Sequence, residues 1–90
     1  MADTFISLAN SHSDTVNREN VGMALLYAAS RYNAFVVASN AKDVQSYVAD
    51  QEKAMEFFSG QYKDMLQENL DDYQKVIANE GKYSHLVKKH

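Results

Sequence analysis

The stretch VQSYVADQEKAMEFFSGQYKDMLQENLDDYQKVIA, residues 44–78, decides the fold. Val44, Val48, Gln51, Met55, Phe58, Tyr62, Met65, Asn69 and Val76 follow one another at helical spacing, and Leu66, Leu70, Tyr73 and Ile77 broaden the same stripe. Apolar residues repeated every three to four positions mark one face of an amphipathic helix. The chain contains no proline and only three glycines, so nothing forces this helix to stop. The expectation is one long helix running to about Ala78, followed by a flexible tail, 79–90.

Upstream, Val21, Leu25, Ala28, Tyr32, Phe35 and Ser39 form a second helical stripe, and Met23, Leu26, Ser30, Ala34 and Val37 form another on the opposite side of the same segment. A helix apolar on two sides must be covered on two sides. Asp14 and Asn17 offer caps for its start, and Ser39 marks its approximate end. The link from Asn40 to Asp43 is short, with Asn40 able to cap and Asp43 placed in the first turn of the next helix, where the dipole favours negative charge. A short link predicts an antiparallel hairpin. Before it, Asp3 or Thr4 caps a short first helix carrying Phe5, Ile6, Leu8 and Ala9, which Asn10, Ser11 and Ser13 end; it is read as a lid on the core.

The fold class is therefore all-α, with a short N-terminal helix and a long antiparallel helical hairpin forming a single domain over 1–78. A straight helix over residues 42–78 would be roughly 55 Å long, against about 30 Å for a compact domain of this size. The second helix covers it only to about Gly60, and the stripe from Tyr62 to Ile77 needs another cover. The helix could break near Gly60, the first helix could extend over it, or a second copy could supply the surface. The second copy is preferred, because the second helix also has a spare apolar side and Gly60 costs a helix only about 1 kcal/mol. Homodimerisation then completes a helical bundle. Met23, Leu26, Val37, Phe57, Tyr62, Leu66, Asn69, Leu70 and Tyr73 are the interface candidates. Gln51 and Asn69 on the stripe fit polar positions that set register and partner number.

Composition narrows the function classes. Ninety residues make one thin domain, burying roughly 60% of the surface its unfolded chain exposes. Cysteine is absent, which excludes thiol catalysis, thiolate metal sites and disulfides, and a cytoplasmic location is expected. Met1 to Asn10 lacks the basic start of a signal peptide. No apolar run approaches the ~20 residues that span a bilayer, so no membrane partner is expected. Twelve acidic against nine basic residues argue against nucleic acid, and Lys88 and Lys89 alone make no binding surface.

Chemistry is hard to assemble from these residues. Glu52 with Glu56, and Asp64 with Glu68, could each present two carboxylates, but their faces point outward and no Glu-x-x-His pair accompanies them. His12, His85 and His90 fall in loop or tail. No serine has a positioned base, and Gly22, Gly60 and Gly81 are each isolated, so no phosphate loop exists. Neither a metal nor any other cofactor is expected, and no enzyme. Arg31 is the most informative polar residue, because it interrupts an apolar helix between Tyr27 and Phe35, level with Gln51 and Glu52 across the hairpin. Either it pairs at the edge of the core, or it anchors an anion pocket with Tyr27, Tyr32 or Asn33 as fellow donors.

The segments LLYAASRYNAFVVAS, residues 25–39, and FFSGQYKDMLQENLDDY, residues 57–73, resemble a family of small all-helical bacterial proteins labelled a domain of unknown function. The resemblance covers about Thr4 to Tyr73. It implies a bacterial cytoplasmic protein and transfers no site residues. The Asp-Ser-Leu motif of acyl carrier proteins is missing, and Arg18 and Arg31 are too few for the dicarboxylate site of a small helical chorismate mutase. The leading expectation is a homodimeric structural or protein-interaction module. The alternative is a regulatory, anion-binding helical bundle built on Arg31.

Overall fold

The computed structural model describes residues 1–80, and these form three helices with no strand among them. They are α1 (Ala2–His12), α2 (Arg18–Asn40) and α3 (Val44–Glu80). The all-α class follows from the sequence as expected. The tail expected for 79–90 lies outside the described residues beyond Glu80, together with His85 and His90. The chain divides into two units, Met1–Asn40 and one that begins at Ala41.

In the first unit, α1 starts earlier and ends later than the polar residues suggest. Met1 stands at its N-cap and Asp3 in its first turn, where the helix dipole favours a carboxylate, so Asp3 serves inside the helix and not as its cap. Asn10 and Ser11 do not end it; helical hydrogen bonds continue to Ser13, whose backbone N–H and hydroxyl both donate to the Ala9 carbonyl. His12 therefore belongs to the last turn of a helix and not to a loop. α2 begins where the cap predicts: Asn17 Oδ1 accepts a hydrogen bond from the Asn20 N–H at 2.8 Å. Glu19 adds negative charge to that first turn. α1 and α2 contact each other, and Ala9, Asn10, Ser13, Val21, Asn33 and Val37 are half-buried.

That contact does not create a core. No described residue in the chain is buried, and Phe5, Ile6 and Leu8 on α1 remain exposed. Among the described residues of its own unit, no buried core lies beneath α1. Full burial of a large apolar side chain stabilises a fold by about 1.5–3 kcal/mol, while ordering each residue costs about 1–2 kcal/mol. With no side chain buried, the hydrophobic contribution that would offset this entropy is largely missing from a single copy.

In the second unit, Asp43 is the N-cap itself and not a first-turn residue. Its Oδ1 accepts from the Ser46 N–H at 2.8 Å, and Ser46 Oγ accepts in return from the Asp43 N–H at 3.3 Å. This reciprocal arrangement satisfies two donors that a helix start leaves orphaned. It also relieves Asn40 of the capping role expected for it. From there α3 runs 37 residues without interruption. Gly60 does not break it, which removes the alternative of a fourth helix folding back at that point. At ~1.5 Å per residue the helix is about 55 Å long.

Candidate functional site

The feature that organises α3 is angular. At about 100° per residue, the large apolar residues from Val44 to Ile77 fall within an arc about 140° wide, Phe57 excepted. Lys53, Asp64, Gln67 and Asp71 lie on the opposite face, where Gln67 Nε2 donates to Asp71 Oδ1 at 3.0 Å. The apolar arc persists over the whole helix because residues eighteen apart, five full turns, recover the same orientation. Val44 and Tyr62 are one such pair, Gln51 and Asn69 another.

Within its own unit this stripe has no cover. Val44 is 77% exposed and Met55 68%, and Val48, Tyr62, Met65, Leu66, Leu70, Tyr73 and Ile77 are exposed as well. Phe58 and Val76 are half-buried. Val44, Val48 and Met55, in the half of the stripe for which the hairpin expectation supplies a cover, are thus exposed within this unit like the rest. Their spacing already placed them on the stripe. They were missing from the candidate set because the second helix was assigned to that end of α3.

Two polar residues sit inside the apolar arc. Asn69 donates from Nδ2 to the Met65 carbonyl at 3.0 Å, and its own side-chain oxygen can accept a hydrogen bond. Gln51 has the same angular position and is exposed. Phe57 lies well outside the arc; it is exposed and meets Phe58 edge to face, with ring centroids 5.2 Å apart and planes at 78°. The interface candidates of α3 therefore divide into a connected stripe, Tyr62, Leu66, Asn69, Leu70 and Tyr73, and the separate Phe57.

On α2 the candidates do not converge. Met23 and Leu26 are exposed and Val37 half-buried, and apolar residues occupy nearly every direction around this helix. Tyr27 and Arg31 lie one turn apart and about 40° from each other, but Tyr32 is about 100° and Asn33 about 160° away from Arg31. The four residues of the anion reading thus span both sides of one helix. Tyr32 packs instead on Phe35, centroids 5.8 Å apart. The hydroxyls of Ser30 and Ser39 donate to the carbonyls of Tyr27 and Phe35, each at 2.8 Å, so these serines satisfy themselves within the helix.

α2 is long and apolar enough, by length and composition, to cross a membrane, with an 18-residue window of mean hydropathy 1.2. An uninterrupted apolar run is absent, but the window average tolerates Arg31 and the small polar residues around it. Insertion scales assign about 2.5–3.5 kcal/mol against an arginine near the centre of a span and only about 0.3–0.6 kcal/mol in favour for each Leu, Phe or Val. Six such residues, Val21, Leu25, Leu26, Phe35, Val36 and Val37, do no more than balance Arg31.

Among the described residues, no three His, Asp or Glu side chains group closely enough to share a metal ion. Glu52 with Glu56 and Asp64 with Glu68 are exposed pairs on α3. Comparison with known proteins places the chain in a family. A family model described as a protein of unknown function (DUF3144) matches residues 1–74, and the chain belongs to that family. No curated protein and no solved structure matches it.

Proposed function

We propose that this member of the DUF3144 family is a non-catalytic structural or protein-interaction module that works in the cytoplasm as a homodimer. The observation that carries the reading is the uncovered stripe of α3, an apolar arc about 55 Å long on a helix with no buried side chain. Monomeric soluble proteins rarely expose contiguous apolar patches beyond a few hundred Å². A helix of this length with a wide apolar face is stabilised chiefly by packing and not by propensity, so the described fold and a partner go together.

The arc is wider than the narrow seam of a two-stranded coiled coil, which fits a helix flanked by more than one neighbour. The antiparallel hairpin predicted by the short Asn40–Asp43 link, doubled by a second copy, supplies those neighbours and completes a helical bundle. The all-round apolar character of α2 fits the same arrangement, because a bundle covers it from several sides, and Arg31 makes a bilayer the poorer cover. Phe57 and the acidic outer face of α3 remain available to a further protein partner. The anion-binding alternative is not preferred, since of its candidate donors only Tyr27 shares a face with Arg31.

A homodimer couples folding to association, so its melting temperature rises with protein concentration. Circular dichroism melts over a hundredfold range of concentration should show that rise. A midpoint that stays fixed across the range would contradict the proposal.

A further inference from the structure

The stripe of α3 has an internal symmetry that specifies how a second copy would lie on it. Its central positions alternate at four and three residues from Val44 to Val76, and the series reads the same from either end about Gly60. Reflection through residue 60 carries Phe58 onto Tyr62, Met55 onto Met65, Gln51 onto Asn69 and Val44 onto Val76. Gly60 itself points away from the stripe, and a Cβ there would meet nothing within 4 Å.

We infer that two copies pair antiparallel along α3 with their two-fold axis level with Gly60, so that Gln51 of each copy meets Asn69 of the other. This rests on the homodimer reading and adds to it an orientation and a register. Three features select the arrangement. First, it is the antiparallel register that pairs both amides with each other; sliding by one heptad sets each of them against an apolar or aromatic residue and leaves end layers unpaired. Asn69, whose Nδ2 already donates to the Met65 carbonyl, offers its carbonyl oxygen to the Gln51 amide. Buried polar pairs of this kind fix register.

Second, the charges agree. Asp72 continues the series between Asn69 and Val76. A parallel, in-register pair would press it against its own copy, whereas the antiparallel pair sets it opposite Val48 near the end of the seam and at the edge of the arc, so that no two carboxylates meet there. On the flanks, Glu52 falls beside Leu66, Glu68 beside Ala54, and Lys75 beside the ring of Tyr47, with no like charges opposed. Third, the area is of the right size. The large apolar side chains of the stripe, 38% to 77% exposed, offer on the order of 900 Å² per copy to all the helices that the dimer brings around it, against the ~800 Å² that each partner contributes to a stable interface.

The chain has no cysteine, so introduced thiols report cleanly. Met55→Cys and Met65→Cys variants, mixed, equilibrated and oxidised, should form the mixed disulfide in preference to either homodisulfide, because seam positions bring Cα atoms within the 4.4–6.8 Å that a disulfide needs. Efficient self-linking of each variant alone would indicate a parallel pair and overturn the inference. Spin labels on Gly60→Cys and Gln74→Cys, both off the stripe, give a second readout. The inference predicts a short separation at 60 and one larger by about 40 Å along the axis at 74, from ~1.5 Å per residue. Equal separations in a dimeric protein would overturn the register and orientation while leaving the homodimer reading intact. A monomeric mass for both variants and the parent chain would overturn both.

Discussion

α2 and α3 are both long helices, yet they carry their apolar residues in opposite ways. α3 gathers them in one arc and gives the rest of its circumference to Lys53, Asp64, Gln67, Asp71 and their neighbours. α2 spreads them around its whole surface, with Arg31 as the one charge past its first turn. The difference teaches what each helix requires. A one-sided helix is satisfied by neighbours on one side, and the periodicity of its stripe then dictates their direction. An all-round helix carries no such instruction and depends on being enclosed.

The largest effect that can break this contrast is a charge placed on the arc. Tyr62→Asp buries an unpaired carboxylate in the proposed seam, at a cost of about 3–5 kcal/mol, and should raise the dimer dissociation constant more than a hundredfold in sedimentation equilibrium. The same change at Lys53, on the far side of α3, should leave association within a few fold. If both variants dissociated equally, the one-sided account of α3 would be lost.

Smaller effects sharpen the comparison. Asp43→Ala removes the reciprocal cap with Ser46 and should lower stability by about 1 kcal/mol in urea titration without changing the mass of the assembly. Gly60→Ala should raise stability by about 1 kcal/mol, because the added methyl enters open space on the outer face. A loss of stability there would place Gly60 in a contact and contradict the proposed axis. On α2, Arg31→Met should leave the melting temperature unchanged or slightly higher, within about 1 kcal/mol, since an apolar residue suits an enclosed helix. Loss of binding to an anion such as phosphate, with the melt unaltered, would instead favour a pocket on Arg31.

The stripe of α3 was legible from sequence because its period survives over nine turns with no proline to interrupt it. The start of α2 was legible for a local reason, the Asn17 side chain reaching the Asn20 N–H. The ends of α1 were not, because Asn10 and Ser11 are polar residues that an exposed helix tolerates as readily as a turn does. The capping of α3 shifted from Asn40 to Asp43 because Ser46 can answer Asp43 at helical spacing, a reciprocity that single-residue cap preferences overlook. For the candidate site, the spacing supplied the whole stripe, and the choice of Tyr62 to Ile77 as its open part followed from the hairpin expectation, which gives Val44, Val48 and Met55 to the second helix. Arg31 drew notice as a charge in an apolar helix, yet the angular separation of Asn33 from it was already contained in their two-residue spacing.

The central claim is that one copy of this chain does not satisfy its own apolar surface. Sedimentation equilibrium at micromolar concentration, with helicity followed by circular dichroism on the same sample, tests it most directly. The account predicts a strongly helical species of twice the 10.2 kDa chain mass. A species at the single-chain mass with the same helicity and a cooperative melt would contradict it.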